Sequence, residues 1–175
     1  MKISILLPYK ENYSPEYAGA VSIFVNATNK ISKFNKDITV FGFTNFKKKL
    51  STNYKNITLS KKILKSQSKE YVEKFFKIQE NIKPSIVEIH NRPNYIKKLL
   101  ELNTNLVLYF HNDPITMNGS KTTFERLELL SNCSKIIFNS EWSKKQFLKD
   151  LKTFYHKSKK LIVIHQSTNK VNIDL

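Results

Sequence analysis

The chain has 175 residues, 40% of them hydrophobic and 12% aromatic, with a formal net charge of +16. This length and composition describe one globular domain with a substantial core, and they do not indicate disorder. The lone cysteine, Cys133, excludes an internal disulfide and suits a reducing cytoplasm.

The charge has an unusual make-up. Of 30 basic residues only Arg92 and Arg126 are arginine, which leaves 28 lysines. Base readout and phosphate forks favour arginine, so its scarcity counts against nucleic acid. Three sources of the charge stay open: compositional drift towards lysine, a face for anionic membrane or an anionic ligand, and nucleic acid.

In chain order, Ile3 to Leu7 reads as the first strand, ended by Pro8. Its apolar run is too short for a signal peptide or a membrane span. A small-residue turn, Ala18-Gly19-Ala20, opens a helix whose apolar face carries Val21, Phe24, Val25 and Ile31. Strand, small turn and helix can aim backbone N–H groups at a phosphate. Gly19 suits either a diphosphate contact or close helix–sheet packing.

Ile38–Gly42 reads as a second strand, and Phe43 to Lys55 as a basic loop interleaved with Phe43, Phe46, Leu50 and Tyr54. Such a loop can bind single strands, sit in a membrane interface, or pin itself to its own domain. Asn56–Leu59 is expected as a short edge strand. An amphipathic helix follows, marked by Ile63, Leu64, Tyr71, Val72, Phe75, Phe76 and Ile82 and stopped before Pro84. Ser85–Ile89 is the next strand, closed by His90-Asn91-Arg92-Pro93. Asn91 is expected to cap a helix with Pro93 in its first turn.

Leu106–Phe110, five apolar residues in a row, predicts a strand buried on both faces. It stops at His111-Asn112-Asp113-Pro114. Thr122 and Glu125 have capping-box spacing at the head of a helix through Leu127 and Leu130. Lys135–Phe138 is a strand, Asn139-Ser140-Glu141-Trp142 turns into a helix with Trp142, Phe147, Leu148 and Leu151 as its apolar residues, and Leu161–Ile164 is the last strand.

Strands and helices alternate, with connections long enough for parallel crossovers. The expected fold is α/β: a Rossmann-like, doubly wound, mostly parallel sheet of about six to seven strands. His90, His111 and Ser140 then fall at carboxyl ends of strands, on one rim, where open α/β sheets bind ligands.

Five blocks carry a resemblance to a known family. They are Lys2-Ile3 with Ala18-Gly19-Ala20, Val87-Glu88-Ile89-His90-Asn91-Arg92-Pro93, Tyr109-Phe110-His111-Asn112-Asp113-Pro114, Ile137-Phe138-Asn139-Ser140-Glu141-Trp142, and Val163-Ile164-His165-Gln166-Ser167. With them the chain resembles the N-terminal domain of retaining glycosyltransferases of family 4 (glycosyl transferase group 1), one half of a GT-B fold. The resemblance implies a Rossmann-like acceptor-side domain over residues 1–165 and the start of an interdomain linker over 166–175. The C-terminal nucleotide-sugar domain, with its paired glutamates, would be absent, and the chain alone inactive.

The resemblance also implies roles. His111 would reach the transferred sugar near its anomeric centre, and Gly19 would lie beneath the donor diphosphate. His90 and Arg92 would line the acceptor side, with Asp113, Ser140 and Glu141 close to the cleft. The substrates would be a nucleotide sugar and a cell-envelope glycan or lipid-linked acceptor, without metal or other cofactor. The setting would be cytoplasmic, with peripheral contact to anionic membrane. Two other readings stand beside it: a non-catalytic basic module for anionic membrane or nucleic acid, and a small-ligand-binding flavodoxin-like domain.

Overall fold

The computed structural model describes residues 1–60 and 66–166. The β-branched and aromatic runs become seven strands: β1 (Ile3–Leu6), β2 (Ile38–Gly42), β3 (Tyr54–Asn56), β4 (Ile86–His90), β5 (Asn105–Phe110), β6 (Lys135–Phe138) and β7 (Leu161–Val163). They form one sheet in the order β3-β2-β1-β4-β5-β6-β7, and all six pairings are parallel. From β1 the chain steps outward to β2 and β3, then returns to lay β4 on the other side of β1. The switch point therefore lies between β1 and β4, where the loops beyond their carboxyl ends part and leave a crevice.

The helices are α1 (Ala20–Ile31), α2 (Gln67–Ile82), the single turn α3 (Ile96–Leu99), α4 (Thr123–Asn132) and α5 (Glu141–Leu148). Residues of α2 to α5 join the larger core with Leu6, Phe41, Leu108, Phe110, Ile136 and Phe138. Val21 and Val25 of α1 join a smaller core with Ile5, Leu7 and Val40. Neighbouring strand residues point to opposite faces, so each sheet face has its own core and the fold is doubly wound.

Several expectations shift. Ile31 is 86% exposed, because it lies two residues past the buried Asn29, roughly 200° round the helix. The edge strand is Tyr54–Asn56 rather than Asn56–Leu59. Trp142 is 56% exposed, and Leu151 lies beyond the end of α5. Ile63 and Leu64, Ser167 and most of the linker expected over 166–175 lie outside the described residues. The Phe43–Lys55 loop pins itself down, with Phe43 against the larger core and Leu50 and Tyr54 against the smaller one. Tyr13 stacks on Tyr54 at 4.9 Å. Among the described residues no helix is long and apolar enough to cross a membrane.

Two contacts hold the loops of the carboxyl rim. Thr122 and Glu125 form the capping box: Thr122 Oγ1 accepts from Glu125 N–H at 3.1 Å, and Glu125 Oε2 from Thr122 N–H at 2.9 Å. Just before it, Gly119 has φ +94°, and a Cβ there would meet Asn94 N at 2.5 Å and Asn94 Cα at 2.8 Å. The loop after β5 thus rests on the backbone of the loop after β4. Gly119→Ala combines left-handed strain with a clash against main chain, so it is expected to destabilise by about 2–3 kcal/mol. Urea denaturation of the variant beside the native chain measures this.

Candidate functional site

A cavity of about 320 Å³ occupies the switch point. Pro8 follows β1, Asn91 and Arg92 follow β4, His111 and Asn112 follow β5, and Gln166 follows β7. Glu11 and the first residues of α1 complete the wall. A larger space, about 760 Å³, lies beside Lys69, Lys97, Lys98 and Asn118, but none of the histidines lines it.

The main chain of His111 is clamped at both ends. Its N–H donates to Asn91 Oδ1 at 2.8 Å, and its carbonyl accepts from Asn139 Nδ2 at 2.7 Å. Asn91 reaches it by adopting φ +50°, a conformation asparagine tolerates. Asn91 therefore fixes the next strand's loop and does not cap a helix. Arg92 precedes the 3₁₀ turn Pro93–Tyr95, with Pro93 in the first turn as expected. Arg92 itself is half-buried, and its Nη1 donates to the Asn91 carbonyl at 2.8 Å.

The His111 ring stacks on Tyr109 at 4.4 Å, and Phe24 meets it edge-on at 5.2 Å. Its Nε2 lies 2.7 Å from His90 Nδ1, and its Nδ1 bonds the Gln166 side-chain amide. His90 Nε2 in turn bonds Glu88 Oε1 at 2.8 Å. Burial, with His90 beside it, lowers the His111 pKa from 6.5 to about 3. The neutral ring is thus the folded form across the ordinary pH range.

A lowered folded-state value has a definite sign. Below pH 6.5 the unfolded chain takes up a proton that the folded chain refuses, so stability falls as pH drops from 6.5 towards 3. Glu70, held down to about 2 first by the Ser60 N–H, adds a loss only below 4.5. Between pH 6.5 and 4.5, therefore, His111→Phe is expected to lose less stability than the native chain. Urea midpoints measured across that window check the difference.

At the amino end of α1 stands another charged group. Glu11 Oε1 accepts from Ser22 N–H at 3.0 Å, and a Cβ on Gly19 would lie 2.0 Å from the same oxygen. Gly19 is the residue before the helix, and its missing side chain is the space the carboxylate fills. A helix start of this kind favours an anion, and here Glu11 supplies it.

The other sequence candidates fall into two groups. Arg92, His111 and, through Glu11, Gly19 converge on the crevice. His90 is fully buried, so it meets His111 but does not line an acceptor surface. It is the last residue of β4 and points to the same face as Tyr109 and His111. Asp113 Oδ1 accepts from Ile115 N–H at 3.2 Å, and Ser140 Oγ from Ser143 N–H at 3.2 Å. Both act as caps in the structure, and neither lines the cavity. Glu141, exposed, opens α5.

Sequence reasoning missed Glu11, Glu88, Asn91 as a clamp, Asn139 and Gln166. One signal was present for Glu88: a charged residue inside an apolar strand, two positions before a histidine, shares its face. Among the described residues no three His, Cys, Asp or Glu side chains are grouped so as to hold a metal.

No family profile and no curated protein matches the chain. Solved structures do. Anabaena Alr3699/HepE in complex with UDP-glucose superposes with a TM-score of 0.63 at 12% identity, over 97% of this chain and 45% of that one. The lipopolysaccharide outer core galactosyltransferase WaaB, in its apo form, gives 0.63 and 12%, over 99% of this chain and 48% of that one. At that identity the likeness concerns the fold, which is the Rossmann-like half of a GT-B architecture, and the chain spans less than half the length of either protein.

Proposed function

We propose that the chain is the N-terminal, acceptor-side half of a retaining, family-4-type glycosyltransferase that moves a sugar from a nucleotide-sugar donor. One observation carries the reading: His111, clamped at both ends of its main chain, stands beside Arg92 in the crevice at the switch point. Similarity to a galactosyltransferase and to a protein bound to UDP-glucose supports it.

Glycosyl transfer passes through an oxocarbenium-like state while negative charge grows on the departing diphosphate. In this reading the neutral His111 ring holds the transferred sugar and Arg92 faces the growing charge. The amino end of α1 already accommodates the Glu11 carboxylate. The donor diphosphate would take that carboxylate's place above Gly19. No protein nucleophile is required for transfer on the front face, and no metal is called for. The acceptor is a cell-envelope glycan or lipid-linked sugar, and the lysine-rich surface suits work at the inner face of an anionic membrane.

The test is to express the product of the whole gene and assay sugar release from UDP-glucose and related nucleotide sugars with and without glycan acceptors. Transfer by the whole product and none by residues 1–175 is the expected result. Activity towards no nucleotide sugar would defeat the reading.

A further inference from the structure

Glu88, His90, His111 and Gln166 form one unbroken string of hydrogen bonds from the side of the sheet into the crevice. The string has a direction. A carboxylate can only accept, so His90 must place a proton on Nε2, the nitrogen 2.8 Å from Glu88 Oε1. A His90 ring with one proton then offers a bare Nδ1. Across the 2.7 Å contact His111 must donate from Nε2. That leaves Nδ1 of His111 bare, which is what the Gln166 amide needs in order to donate to it. Every link has one donor and one acceptor, and reversing any of them leaves two donors or two acceptors face to face.

We propose that Glu88 is a positioning residue, which acts through the buried His90 to fix the His111 tautomer so that a bare Nδ1 faces the crevice. The ligand group this suits is a hydroxyl donating its proton, as on a sugar, which would replace the exposed Gln166 amide. His90 is the transmitter because it is 0% exposed and no water can substitute for either partner, whereas Glu88 keeps 26% of its side chain exposed. The stack on Tyr109 and the edge of Phe24 prevent the His111 ring from turning to present its other nitrogen.

The relevance to catalysis rests on the reading of His111 as the sugar-facing group, but the tautomer itself does not. Nitrogen-15 correlation spectra of the imidazole rings, recorded on the 175-residue chain at neutral pH, report which nitrogen carries each proton. In the native chain the His111 proton is expected on Nε2. A proton on Nδ1, or a His90 ring carrying two protons, would overturn the proposal. In Glu88→Leu the buried His90 loses its acceptor and is expected to move its proton to Nδ1, which drives the His111 proton to its own Nδ1. An unmoved His111 signal in a folded Glu88→Leu chain would also overturn it; were that variant not to fold, the native spectrum alone decides. In the whole gene product Glu88→Leu should lower kcat roughly tenfold or more with KM little changed, as for other groups that set a histidine's tautomer. The spectra can succeed where transfer fails, so the two claims fall separately.

Discussion

Under the proposed sugar transfer, His111→Ala in the whole gene product is expected to cut the rate by about a hundredfold or more while leaving the fold intact. The size follows from what is removed. A group held at both ends of its main chain, and by a ring stack, is positioned before the substrate arrives. Losing one such preorganised hydrogen bond to the transferred sugar, which strengthens as the oxocarbenium-like state forms, costs on the order of 10²–10³ in rate. Stability suffers less. The variant strands His90 Nδ1 without its partner and empties one side of the Tyr109 stack, a loss of about 2–3 kcal/mol against a total of roughly 5–15. Initial rates with whichever nucleotide sugar supports transfer, beside a thermal melt of the same sample, separate the two effects. A folded His111→Ala enzyme with native rates would take His111 out of the mechanism.

The largest stability effect is expected outside the crevice lining, at Arg126. This side chain is 2% exposed in α4, and it donates to three main-chain carbonyls: Lys121 at 2.8 Å, Ser120 at 3.3 Å and Lys149 at 2.7 Å. Two of these end the loop after β5 and the third follows α5, so one guanidinium ties the rim loop to two helices. Among the described residues no carboxylate is bonded to it; the fork of donors is the function, and lysine cannot reproduce it. Arg126→Leu would keep much of the packing but leave three carbonyls short of a donor. A loss of about 3–4 kcal/mol is expected, lowering the melting temperature by roughly 10 °C. Lysine at 126 should recover only part of that. Differential scanning calorimetry of both variants measures the order.

The sheet was legible because its strands are runs of β-branched and aromatic residues bounded by proline, glycine and asparagine, and their alternation with helices leaves few topologies open. The Thr122–Glu125 box and the bounds of β2 and β6 could be read directly, because local chemistry decides them. Elsewhere local rules lost to tertiary contacts. Asn91 looked like a helix cap, yet the free N–H of His111, twenty residues on, claims its side chain. Trp142 shares a helix with Phe147 and Leu148, yet α5 buries those two and leaves the indole in solvent. At the site, position along the chain showed that His90 and His111 reach the same rim, but depth was hidden. Whether a strand-end histidine faces solvent or its neighbour depends on parity across β4 and β5, which the register settles. Glu11 and Gln166 could not be read at all, since their places depend on loops folding back.

The most direct measurement is a crystal structure of the whole gene product soaked in a nucleotide sugar. The expected map shows the sugar in the crevice between Pro8, Arg92 and His111, with a sugar hydroxyl bonded to His111 Nδ1 in place of Gln166. A sugar bound elsewhere, with the Gln166–His111 contact undisturbed, would contradict the account.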